Sequence, residues 1–117
     1  MTATHSGGCH CGAVRYSVEL TLGDVLACNC SMCGKSGTLL SFVPASAFHL
    51  EKGADDLVSY HFNKNVIDHV FCKHCGIKSF ARGVMPNGSP MIAVNARCLD
   101  DVDVAALSIK HVDGKHF

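Results

Sequence analysis

Seven of the eight cysteines in this 117-residue chain fall into three tight clusters, and each cluster ends in Cys-Gly. They read Cys9-His10-Cys11-Gly12, Cys28-Asn29-Cys30-Ser31-Met32-Cys33-Gly34 and Cys72-Lys73-His74-Cys75-Gly76. A thiolate grips a metal well when neighbouring backbone N–H groups point at its sulfur, and the tight turn that arranges them favours glycine, which tolerates positive φ. The clusters therefore predict metal knuckles, and together they hold more ligands than one zinc can use. A closed four-cysteine set is structural, whereas a three-cysteine set leaves a position for chemistry, so four plus three is the partition that matters.

Composition supports metal over disulfides. With 48% hydrophobic and 17% charged residues, residues 1–117 read as a single soluble domain with room for a real core. The formal net charge of +0 gives no electrostatic footprint for nucleic acid or an anionic membrane. The first eight residues carry neither a basic nor an apolar leader segment, and no apolar run approaches the roughly 18–20 residues of a membrane span. A reducing, cytoplasmic setting is the expectation, in which clustered cysteines bind metal; a disulfide scaffold in an exported chain is the alternative.

Hydrophobic patterning predicts a mainly β chain. Val14, Tyr16, Val18 and Leu20 alternate with Arg15, Ser17 and Glu19, as in a half-buried strand. Asp24–Ala27, Thr38–Val43, Phe48–Glu51, Leu57–Phe62, Val66–Phe71, Ile77–Arg82, Met91–Ala96 and Ile109–Val112 read as further short extended segments. Pro44–Phe48 suits one helical turn, Lys52-Gly53 and Asn63-Lys64-Asn65 suit turns, and Asn87-Gly88 marks a hairpin. Leu99–Leu107, with acidic residues in its first turn, is the best helix candidate.

In an extended chain, residues i and i+2 project to one side, so Cys9 and Cys11 can present both sulfurs to one ion, while Cys72 and Cys75 do so around a turn. A metal joining these pairs would staple the chain's start to its middle. Spacing alone also permits Cys9 and Cys11 to join two of the middle cysteines. Under the favoured pairing, Cys28, Cys30 and Cys33 hold a second ion with one open position, suited to a water or a substrate thiol. Cys98 or a histidine as fourth ligand would make that site purely structural instead. Cys72-x-x-Cys75 does not suit thioredoxin-like chemistry, because the residues after it read extended rather than helical. Cys98 alone reads as an inert buried thiol. His61 and His69 read as core or surface positions, and Arg15, Lys35, Lys73 and Lys78 as solvated charges or as counterions to thiolate.

These motifs resemble the glutathione-dependent formaldehyde-activating enzyme family, which also includes centromere protein V. The likeness runs through Gly7–Tyr16, Cys28–Lys35, Phe71–Gly76, Phe80–Gly83, Val94–Asp101 and His111–Gly114, nearly the whole chain. It implies a β-tent fold of short antiparallel sheets clamped by a structural zinc on Cys9, Cys11, Cys72 and Cys75, with one short helix near the C-terminus. It also implies a catalytic zinc on Cys28, Cys30 and Cys33, giving two zinc ions per chain. The implied activity is that of a carbon–sulfur lyase joining a small thiol such as glutathione to an aldehyde, as in S-hydroxymethylglutathione formation. The chain is much shorter than the formaldehyde-activating enzyme itself and shows no added segment for a dedicated glutathione pocket. A non-catalytic zinc-stabilised protein-binding module of the same fold, and a redox or zinc-reservoir protein, are the rival expectations.

Overall fold

The computed structural model describes residues 3–28, 35–61, 67–85, 87–100 and 102–112. The alternation after the first knuckle forms β2 (Arg15–Leu20), whose Tyr16, Val18 and Leu20 side chains are buried. It lies between β1 (Ala3–Gly8) and β5 (Phe48–Lys52), antiparallel to both, in a three-stranded sheet.

The remaining strands build a seven-stranded sheet from β3 (Asp24–Cys28), β4 (Leu40–Pro44), β6 (Leu57–Tyr60), β7 (Asp68–Cys72), β8 (Phe80–Val84), β9 (Pro90–Asn95) and β10 (Ser108–Val112). Their spatial order is β10-β3-β4-β9-β8-β7-β6. All neighbours are antiparallel except β10, which runs parallel to β3 with Val112 opposite Cys28. The architecture is mainly β, as the patterning requires.

Between the sheets lies one apolar cluster. It joins Val14, Tyr16, Val18 and Leu20 to Val43, Val70, Phe80 and Val94 from the larger sheet. Phe48 packs at a tilt between Tyr16 and Phe80, with ring centroids 4.9 and 4.7 Å away. Fully burying a side chain of this size contributes about 1.5–3 kcal/mol, so this ring trio is a main fastening between the layers.

Three elements differ from expectation. β1 carries the sequence Ala-Thr-His-Ser-Gly-Gly, with no apolar alternation; it is a strand because β2 supplies a ladder for it. β8 starts at Phe80 rather than Ile77, because the turn of the third knuckle uses the preceding backbone, with the Cys72 N–H donating to the Ile77 carbonyl at 3.1 Å. The segment expected as a helix from Leu99 holds a single 3-10 turn, Val104–Ala106, capped by the Asp103 carboxylate accepting from the Ala105 N–H. Residues 100–104 are all Asp and Val, which disfavour a helix interior, and packing of Val102, Val104 and Leu107 on the core sets the path of the segment instead. The expected Asn63–Asn65 turn lies outside the described residues, as do Phe62 and Val66.

Candidate metal centre and adjoining cleft

Cys9 and Cys11 sit in the connection between β1 and β2, and Cys72 and Cys75 at the end of β7 and in the turn after it. The four sulfurs lie within 4.8 Å of one another, although the two pairs are about 60 residues apart in sequence. Cys9 to Cys11 and Cys11 to Cys72 are each separated by 3.6 Å. A tetrahedral zinc with bonds of about 2.3 Å spaces its sulfurs about 3.8 Å apart, so the donor set fits such an ion. Of the two pairings that spacing permits, the structure brings together Cys9, Cys11, Cys72 and Cys75.

The glycines after each pair do what the Cys-Gly endings predict. Gly12 has φ +85° and Gly76 has φ +78°, the left-handed conformation that reverses the chain and turns N–H groups toward sulfur. The Val14 N–H donates to Cys9 Sγ at 3.3 Å and the His74 N–H to Cys72 Sγ at 3.4 Å. Burial pushes the Cys75 thiol up, but the backbone N–H groups of Ile77 and Cys11 and the sulfurs of Cys72 and Cys11 bring it down to about 6. Burial acts the same way on Cys9, where the Val14 N–H and the sulfurs of Cys11 and Cys72 outweigh it and lower the thiol. The Ala13 N–H favours the Cys11 thiolate, yet desolvation and the three facing sulfurs take Cys11 up to about 11. Four thiolates at this spacing repel one another, and a divalent cation among them removes the conflict.

His74, inside the third knuckle, turns away from the sulfurs: its Nε2 lies 2.9 Å from the Asp56 carboxylate, which also pairs with Lys73 at 3.8 Å. The hydrogen bond to His74 holds the Asp56 carboxyl below its ordinary range. Asp56 lies in the 3-10 turn Ala54–Asp56, so that turn is docked on the knuckle. Across the molecule, an ion pair of Arg15 with Asp100, and the bridge of Gly7 to Leu99, hold the segment after β9 against the first knuckle.

Cys28, half-buried at the end of β3, packs against Leu40, Ala81 and Ala93 on the sheet face opposite the main core. Cys30 and Cys33 lie outside the described residues. Cys98 is not part of the four-sulfur group; its Sγ lies 3.6 Å from Asn95 Nδ2 and donates to the Lys78 carbonyl at 3.8 Å. Burial pushes its thiol up, consistent with an unreactive cysteine.

Beside the four sulfurs opens a cleft of about 600 Å³. Cys9, His10 and Arg15 line it from the first knuckle, Ile77 and Lys78 from the third, and Ser36 and Thr38 from the segment that follows the middle cysteines. Asn95, Arg97, Cys98 and Asp100 close the remaining side. Asn95 ties these walls together: its Oδ1 accepts from the Leu39 N–H at 3.3 Å and the Arg97 N–H at 3.1 Å, and its Nδ2 donates to the Lys78 carbonyl at 3.0 Å. The sequence gives no local sign of this cleft, because Lys78, Thr38 and Asn95 are each ordinary polar residues until the strands place them together.

Residues 4–112 match the family model described as glutathione-dependent formaldehyde-activating enzyme. The crystal structure of a Rhodobacter sphaeroides protein is similar to this chain at 30% identity and a TM-score of 0.77, covering 90% of this chain and 99% of that one.

Proposed function

Because this chain belongs to the glutathione-dependent formaldehyde-activating enzyme family, we propose that it is a zinc-dependent carbon–sulfur lyase acting on the adduct of a small thiol, such as glutathione, with an aldehyde, such as formaldehyde. Cys9, Cys11, Cys72 and Cys75 would hold a structural zinc, and Cys28, Cys30 and Cys33 a catalytic one. The observation that carries this proposal is the gathering of the first and third clusters into one four-sulfur set. With those four spent on each other, the middle trio is left for a second ion, and the cleft runs from the first cluster to Ser36 and Thr38, just past that trio.

Zinc on the three middle cysteines would supply a soft cation that keeps a thiol deprotonated near neutral pH. The chain's own residues do the rest. Arg15, Lys78 and Arg97 bring positive charge to the cleft against one carboxylate among its described residues, Asp100, which suits an anionic thiol. The walls fixed by Asn95 hold two reactants at one place, which converts a collision of two molecules into a step within one complex. The proposed setting is cytoplasmic, where thiols stay reduced, with residues 1–117 as one domain. No helix among the described residues is long and apolar enough to cross a membrane.

Elemental analysis should find two zinc ions per chain, and Cys30→Ser should retain one, together with a native circular dichroism spectrum, while losing thiol–aldehyde turnover. Full turnover in a Cys28/Cys30/Cys33 triple serine variant would refute the catalytic role.

A further inference from the structure

The buried side of the cleft holds a lysine where burial is unfavourable. Lys78 is 7% exposed, and its Nζ lies 2.8 Å from Nδ1 of His69, itself 4% exposed. An ammonium offers only donors, so Nδ1 is the acceptor and the imidazole is neutral, with its proton on Nε2. Burial first, and the Lys78 charge second, push His69 down to about 4, so the ring stays neutral at pH 7. A lysine on the surface would incur no such desolvation, which makes its place here informative about what the cleft receives.

A second donor lines the same cleft. Thr38 is 3% exposed, and its Oγ1 has no hydrogen-bond partner among the described residues. Buried hydroxyls are nearly always satisfied, so one facing a cleft is placed for an atom that arrives there. Asn95 links the two backbone segments that carry these groups, since it bonds the Lys78 carbonyl with its Nδ2 and the N–H of Leu39, next to Thr38, with its Oδ1. Thr38 also lies two residues before Leu40, whose partner across the sheet is Leu26, two residues before Cys28. Thr38 therefore lies on the part of the sheet that also carries Cys28.

We propose that Lys78 and Thr38 form an oxyanion site for the aldehyde oxygen of the substrate, with His69 as the positioning residue that aims the Lys78 ammonium. This rests on the thiol–aldehyde activity proposed above. In the addition, the thiolate sulfur forms a bond to the carbonyl carbon, and the π pair of the C=O bond moves onto oxygen. Lys78 and Thr38 donate hydrogen bonds to that oxygen as its negative charge grows. The oxygen then takes the proton that the thiol gave up, delivered through solvent, and Lys78 keeps its own protons. Three thiolates would outweigh the charge of a zinc ion by one, so polarising the oxygen falls to a side chain.

The test uses the zinc-loaded protein. Lys78→Met should lower kcat/KM by about 100-fold or more, and Thr38→Val by about 10-fold, with zinc content unchanged. His69→Asn, which keeps an acceptor near the Nδ1 position, should stay within about 10-fold of wild type, whereas His69→Leu should fall with Lys78→Met. Acetate, as an oxyanion probe, should produce saturable NMR shifts at Thr38 and His69 that disappear in Lys78→Met. If Lys78→Met does not fold, Lys78→Gln and Thr38→Val carry the same comparison. Wild-type kcat/KM in the Lys78 variants, or no saturable acetate response in the wild type, would overturn the site. Saturable, Lys78-dependent acetate binding in a protein without thiol–aldehyde turnover would uphold the oxyanion site and remove the lyase assignment instead.

Discussion

Replacing Tyr16 with phenylalanine should make this protein more stable. The Tyr16 ring is fully buried, 4.9 Å from Phe48 and 6.0 Å from Phe80 between centroids, and phenylalanine keeps both contacts. What it removes is a hydroxyl with no hydrogen-bond partner among the described residues. That hydroxyl lies over Gly7 of β1, where a built Cβ would come within 2.8 Å of it, so the glycine makes room for the ring. The same desolvation pushes the phenol's pKa well above its ordinary value. An unsatisfied buried hydroxyl costs about 1–3 kcal/mol, so its deletion should recover about 1–2 kcal/mol. For a chain of this length the gain corresponds to a Tm rise of about 4–8 °C. Urea unfolding of the zinc-loaded protein should show a higher midpoint with an unchanged slope. A loss of 0.5 kcal/mol or more (about half the size of an ordinary net hydrogen bond) would show that the hydroxyl has an acceptor, and would refute the reasoning.

Two further outcomes follow from the buried polar and sulfur groups. Cys72 is 1% exposed and belongs to both the core and the sulfur set, so Cys72→Ser or prolonged chelation should unfold the chain. The loss, on the order of 10 kcal/mol, is comparable to a domain's whole stability, and a native dichroism spectrum after complete zinc removal would contradict it. His69 titrates at about 4 in the folded protein against an ordinary 6.5, so the unfolded chain binds its proton first as pH falls. Its contribution is fully present above pH 6.5 and is lost toward pH 4, a change of roughly 3 kcal/mol. Subtracting the unfolding free energies of His69→Asn from those of wild type between pH 4 and 7 isolates it; a flat difference would exclude this linkage.

Legibility in the sequence followed the range of the interaction involved. The sulfur set was readable up to its pairing, since ligand chemistry demands that such pairs meet somewhere, and Gly12 and Gly76 adopt the left-handed turns their position implies. β2 was readable because alternation is a local signal of one buried face. β1 was not, because Thr4, His5 and Ser6 become a strand only through the ladder that β2 offers. The pairing of Lys78 with His69 was equally hidden: eight residues of strand, knuckle and turn lie between them, and burial of Lys78 is decided by strands on either side. The helix expected after Leu99 reflects a favourable acidic first turn laid on Asp and Val residues that disfavour a helix interior.

The parallel placement of β10 beside β3 carries a temporal consequence. Every ligand of the four-sulfur set has been synthesised once Cys75 emerges, whereas the strand that ends in Cys28 gains its outer neighbour only from residues 108–112. A nascent chain can thus close its staple while the edge beside Cys28 is still bare, and the strand that leads into the middle cysteines acquires its frame last. Chains cut short before Ser108 would keep the four sulfurs yet leave the flank of β3 open to a strand from another molecule.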